Sequence, residues 1–204
     1  MDSSEDIKDI RDKVLNVAKG LFASRGLKGT TVDMIAQASG IAKGTVYNYF
    51  DSKNDIFREV IHTEAMAVYG EIDAAVRQGK NVKDKMKAFV VAKVKAIRKR
   101  MNLYNLTKER YLNMSYLVRH ELTFYYEREV LLIEDILSEG LRKGEITIQE
   151  PAMLARALVA AVKDFEDPWV VTENWANMER YLDTLLDVLY NGLRPRNEPD
   201  TAKE

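Results

Sequence analysis

The sequence contains no cysteine. Disulfides, thiolate zinc sites and cysteine nucleophiles are therefore excluded. Histidine is scarce: His62 and His120 are the only two, too few and too far apart for a histidine-based metal or acid–base site. Four prolines and ten glycines occur in 204 residues, so chain breakers are rare, and signals for β-strands are nearly absent. No apolar run approaches the ~18 residues of a membrane span. The opening MDSSEDIKDIRDK is acidic and polar, unlike a secretory signal, and a cytoplasmic protein is expected. Neither sign of charge dominates: 31 Lys plus Arg stand against 32 Asp plus Glu, a net charge of −1. A nucleic-acid site, if present, must be a local patch.

What is abundant is apolar residues at helical spacing. Hydrophobic residues make up 46% of the chain, enough for a packed core. From Ile7, apolar residues recur at Ile10, Val14, Val17, Ala18, Leu21 and Phe22, one face of a helix that Gly26 ends, with Ser3 and Ser4 as candidate caps. Thr30 and Asp33 have capping-box spacing and predict a second helix. Gly40 supplies a turn, and a third short helix is predicted over 42–50, with Val46 and Phe50 inward and Lys43, Thr45, Asn48 and Tyr49 outward. Ser52 and Asp55 repeat the capping spacing and open a fourth helix. Further on, Asn81 caps a helix over 82–100. A short helix is expected over 104–113 and a long one over 115–143, ended by Gly144. Pro151 begins another helix, which runs to about Lys163 and which Asp167-Pro168 breaks. The last spans 174–190, stopped by Gly192 and Pro195. The fold class is all-α.

Two short helices joined by a glycine turn, the second with polar outward residues, form a helix-turn-helix. Its second helix fits the major groove, about 12 Å wide, with its N-terminal residues at the base edges. That end offers Ala42, Lys43, Gly44 and Thr45. Gly44 permits close approach of the backbone, and Thr45 can bond a base edge or touch a thymine methyl. Tyr47 and Tyr49 offer hydroxyls to phosphates. Lys53 and Thr31, in the first turn and at the start of their helices, suit phosphates as well. The bland alternative is a packing corner in which Tyr47 closes a small core. Residues 1–57 hold 8 basic and 8 acidic residues, so positive potential must come from clustering of Lys43, Lys53 and Lys28. Lys43-Gly44-Thr45 is not a phosphate-binding loop, because its Lys precedes its Gly inside a helical segment.

The string VLNVAKGLFASRGLKGTTVDMIAQASGIAKGTVYNYFDSKNDIF is similar to a known family. Residues 7–57 resemble the DNA-binding domain of TetR-family transcriptional regulators. The LF followed by G, the TTV, the SG, the KGTVYNYF and the SK before a hydrophobic pair fall at the family's spacing. The resemblance implies DNA contacts by Thr31, Lys43, Thr45, Tyr47, Asn48, Tyr49 and Lys53. Ala42 departs from the Ser of many members, and Asn48 occupies a position that varies with operator sequence. The likeness covers a quarter of the chain. By implication, a helical ligand-binding and dimerisation domain follows the three-helix DNA-binding domain.

The expected domains are 1–57 for DNA binding, 58–192 for ligand binding and dimerisation, and a polar tail at 193–204. AMLARALVAAV over 152–162 is apolar nearly all round, and the last helix carries Trp175, Met178, Leu182, Leu185, Leu186 and Leu189. Such helices either fill a monomer core or form half of a four-helix bundle with a second copy. Leu158, Leu182 and Leu186 are the interface candidates. Aromatics gather at Tyr104, Tyr111, Tyr116, Phe124, Tyr125, Tyr126, Phe165 and Trp169, either ordinary core or the wall of a small-molecule pocket. The pocket candidates are Tyr111, His120, Phe124 and Trp169. Residues 80–110 hold 11 bases against Asp84 and Glu109, whereas 121–187 hold 15 acids and 6 bases. The basic segment is either an anion site, for example for a coenzyme A thioester, or a basic helix facing acidic neighbours; the second is the commoner use of such runs. His62 with Glu59 and Glu64 is a weak metal set.

The expected function is a ligand-responsive transcriptional regulator, a repressor that binds a palindromic DNA operator as a homodimer and is released by an apolar or amphipathic effector. No cofactor, metal or membrane is expected. The rival is a helical small-molecule carrier or enzyme with a vestigial DNA-binding unit, against which stands the lack of a catalytic constellation.

Overall fold

The computed structural model describes the backbone of residues 3–103, 122–171 and 175–193, and the side chains of 8–100, 122–163 and 180–193. The described residues form eight helices and no strand: α1 (Ser3–Gly29), α2 (Val32–Ser39), α3 (Lys43–Tyr49), α4 (Lys53–Val76), α5 (Val82–Leu103), α6 (Thr123–Arg142), α7 (Pro151–Val171) and α8 (Trp175–Leu193). The chain divides into two compact units. One comprises residues 1–67 with 98–124, the other residues 68–97 with 125–204.

Local chemistry sets most helix ends. Gly26 has φ +71°, a left-handed conformation that interrupts α1 three residues before its end and that side chains with a Cβ disfavour. The α2 cap is Thr31, not the expected Thr30: the Thr31 hydroxyl oxygen accepts from the Met34 N–H at 3.2 Å. Thr30 is instead fully buried and donates its hydroxyl to the Leu21 and Gly26 carbonyls. Gly40, at φ +64°, ends α2 with its N–H toward the Ala36 and Gln37 carbonyls. Ser52 caps α4, accepting from the Asp55 N–H at 3.2 Å and donating to the Asp55 carboxylate at 2.8 Å. Asn81 caps α5 by accepting from the Asp84 N–H at 2.8 Å. Gly144, at φ +70°, follows α6, and Pro151 opens α7. Two expected stops fail. Helix α7 passes through Asp167-Pro168 to Val171, where a proline near the C-terminal end forfeits one backbone bond without stopping the last turn. Helix α8 passes through Gly192 to Leu193.

In the first unit, Val14, Ala18, Phe22, Val32, Ile35, Ala36, Val46, Phe50, Ile56, Phe57 and Val60 form one core. Phe22 and Phe57 meet edge to face, centroids 5.2 Å apart. Arg11 lies over the Phe50 ring at 4.9 Å and donates its Nε to Glu59 at 2.7 Å. These contacts fasten α1 and α4 around the short α2–α3 pair, so the pair's outer face is presented on a rigid base.

In the second unit the buried side chains include Ile72, Val82, Phe89, Val90 and Val94 with Ile133, Ile136, Leu137, Ile146, Ala155 and Val159. The basic helix α5 meets acids. Lys83 pairs with Asp187, Lys87 with Asp183 at 2.6 Å, Lys85 with Glu139, and Lys93 with Glu129 at 2.7 Å. These four lysines of the basic segment face acidic neighbours.

Candidate nucleic-acid interface

The seven residues of α3 are too few to hold a helix alone; packing holds them. Val46 is fully buried and Phe50, its C-cap, is 4% exposed. That pair turns one face of the helix into the core and leaves the other outside. Ala42, Lys43, Gly44, Tyr47 and Asn48 are exposed, and Thr45 is half-buried. Tyr47, 47% exposed, does not close the core. Tyr49 does: it was expected outward, yet it is half-buried and packs on the core, three residues after Val46 and so on the same side. A Cβ on Gly44 would meet no heavy atom within 4 Å. Packing therefore gives no reason for a glycine inside a helix, where it costs about 1 kcal/mol relative to alanine, whereas close approach of a ligand to the backbone does.

The two lysines expected at phosphates are held differently. Lys53, half-buried, donates its ammonium to the carbonyls of Leu27 at 2.7 Å and Thr30 at 2.9 Å. It thereby satisfies backbone acceptors in the last turn of α1, beyond the Gly26 kink, and at Thr30 just after that helix. Lys43 is exposed and reaches both carboxylate oxygens of Asp33, at 2.8 and 2.9 Å. Asp33 raises the Lys43 pKa above its ordinary value, chiefly through that hydrogen bond. Sequence reading missed this partner, because ten residues and a turn separate the two. The signal was there in another form: Asp33 and Lys43 are the only charged residues between Thr30 and Phe50. Thr31 is exposed at the start of α2 and Lys28 is exposed nearby in sequence.

This geometry coincides with a family model. Residues 14–60 match the model for bacterial regulatory proteins of the tetR family. Over these residues the chain is similar to the TetR family. It is 36% identical over 87 residues to the HTH-type transcriptional repressor KstR2 of Rhodococcus jostii, a match that spans 43% of either chain and so less than half the length of that relative. It is 20% identical over 182 residues to the fatty acid metabolism regulator protein of Bacillus subtilis, covering 89% of this chain and 94% of the other. The crystal structure of FadR from Bacillus subtilis in complex with stearoyl-CoA shares the fold, with a TM-score of 0.66, 18% identity, and coverage of 89% and 98%.

The expected pocket and interface sites fall outside residues 14–60. Tyr111 and His120 lie outside the described residues, as does the side chain of Trp169, whose backbone is in α7. Phe124 is 59% exposed. Of the interface candidates, Leu158 is half-buried, while Leu182 and Leu186 are 1% and 5% exposed and serve the interior of their own unit. Among the described side chains of α8, Tyr181, Leu185 and Val188 are exposed large apolar residues, at 62%, 52% and 70%. They follow one another at helical spacing on a face beside the buried one. Glu59 is engaged by Arg11, and Glu64 by Lys19 and Arg100. Among the described residues no group of three or more His, Asp or Glu is placed to hold a metal, and no helix among them is long and apolar enough to cross a membrane.

Proposed function

We propose that this protein is a transcriptional repressor that binds a palindromic operator as a homodimer and leaves it when an apolar or amphipathic molecule binds the helical region over 58–192. The observation that carries the reading is the outer face of α3. Ala42, Lys43, Gly44, Thr45, Tyr47 and Asn48 stand on a rigid three-helix base with an unfilled glycine at their centre, as entry into a major groove requires. Thr31 adds a contact from the start of α2. Tyr49 and Lys53 join from the core side, Tyr49 through its exposed part and Lys53 by fixing the segment that carries Thr31.

Two copies are needed because one α3 reads only a few base pairs, and paired readers sit about 34 Å apart on successive major grooves. The apolar stripe Tyr181, Leu185 and Val188, joined by the half-buried Leu158 and by Met153, which is 66% exposed, is the surface we assign to the second copy. The effector class follows the relatives: the FadR structure holds stearoyl-CoA, so a long-chain acyl thioester is the first molecule to try. A ligand releases DNA only through its differential affinity for the two states. Helices α4, α5 and α6 each pass from one unit to the other, at Ala67/Val68, Ile97/Arg98 and Phe124/Tyr125, and are the covalent routes between them.

Selection of binding sequences from a random duplex pool with the full chain tests the reading. The expected product is a two-fold symmetric site, with Thr45→Ala changing the preferred bases. Enrichment of no sequence would refute it. Addition of stearoyl-CoA to the selected complex then tests the effector class separately.

A further inference from the structure

The face that the structure offers to DNA contains an acid. Asp33 is 66% exposed in the first turn of α2, and both its oxygens are within 2.9 Å of the Lys43 ammonium at the start of α3. No other charged residue lies between Thr30 and Phe50, so the helix-turn-helix pair has a net charge of zero. Nothing in the packing demands the ion pair, since both side chains are half or more exposed and exposed pairs contribute little to stability.

We propose that Asp33 is a positioning residue that restrains Lys43 and thereby weakens sequence-independent binding to DNA. The inference rests on the DNA-binding reading above. A Lys43 that stays on Asp33 brings no net charge to the phosphates. A Lys43 that turns to a phosphate leaves a bare carboxylate beside the same phosphates. In both cases the pair adds almost nothing to counterion release, the term that dominates non-specific affinity. Base-edge contacts from Thr45 and its neighbours do not depend on that term. The carboxylate therefore lowers the background against which they discriminate.

The test is the binding of the full-length protein to a fluorescein-labelled duplex of random sequence, followed by anisotropy between about 50 and 200 mM NaCl. Asp33→Asn, and independently Asp33→Ser, should bind this duplex several-fold tighter at the lower salt. The slope of log K against log salt should steepen by about 0.9, the value for one phosphate, so the advantage over wild type shrinks about 3.5-fold across that fourfold range. Lys43→Ala alone should move the slope by much less, and adding Lys43→Ala to Asp33→Asn should remove the gain. Native-like melting by circular dichroism separates these effects from damage to α2. An unchanged slope in both folded Asp33 variants would overturn the proposal, and so would a gain that survives intact without Lys43. Enrichment of no sequence from a random duplex pool by the wild-type protein would instead refute the DNA-binding reading, and the inference with it.

Discussion

Removing the ammonium of Lys93 would leave the Glu129 carboxylate, 7% exposed, without the cation 2.7 Å away. A charge at that depth costs several kcal/mol of solvation. Lys93→Met should therefore destabilise the fold by about 3–5 kcal/mol in urea titrations, the range for a broken buried pair. Replacing both partners, Lys93→Met with Glu129→Leu, should recover part of that loss, because the carboxylate left without this cation is then gone. A double variant as unstable as the single one would show that Lys93 stabilises through something other than Glu129. The prediction could not be made from sequence alone. Lys93 sits in a run of bases whose commonest reading is solvated, and burial of one lysine among them depends on which helix lies alongside.

Between elements, Gly140 of α6 leaves no room for a side chain. A Cβ there would lie 2.1 Å from Val82 Cγ2 and within 3.4 Å of Ile146. Valine is stiff about χ1, so Gly140→Ala should cost about 1–3 kcal/mol through overpacking, and adding Val82→Ala should restore part of it in thermal melts. No restoration would mean that the strain lies in the α6 backbone. One residue earlier, Glu139 ties α6 to α5. The Lys143 ammonium first, and Lys85 second, lower its pKa from 4.5 to about 2. The depressed folded-state value means that the contribution is fully present above about pH 4.5 and is lost as pH falls toward 2. Glu139→Gln should accordingly lower stability above about pH 4.5, leave it nearly unchanged near pH 2, and so flatten the acid limb in that window. An unaltered acid limb would contradict the pairing. Helix positions were largely legible beforehand, because caps such as Ser52, Asn81 and Pro151 act on neighbouring residues. The misplacements share a cause. Thr30 and Thr31 have equal propensity to cap, and only the depth of the core beneath Thr30 decides between them. A proline or glycine near a helix end is a weak stop when the rest of the helix is packed.

At the scale of the whole molecule, function depends on which apolar surface remains after each unit has filled its own core. The outward face of α3 was legible because Val46 and Phe50 anchor it from four residues apart. The inward turn of Tyr49 and the carbonyl partners of Lys53 were not, since they depend on α1 and the turn after it. On α8 the periodicity identified an apolar helix but could not say which stripe meets its own unit. Leu182 and Leu186 are interior, and Tyr181, Leu185 and Val188 are exposed. The two stripes make opposite predictions. Leu186→Glu places an unpaired charge in the core, which costs several kcal/mol, so that protein should lose its cooperative melting transition. Leu185→Glu with Val188→Glu alters only exposed positions, so the melting transition of the separate chain should survive. If these residues meet a second copy, that variant sediments as a monomer. It should also bind the selected operator far more weakly, since each α3 would then engage its half-site alone, although residues 1–67 are untouched. A dimer that persists in the Leu185, Val188 double variant, with operator affinity intact, would place the assembly surface elsewhere on the chain.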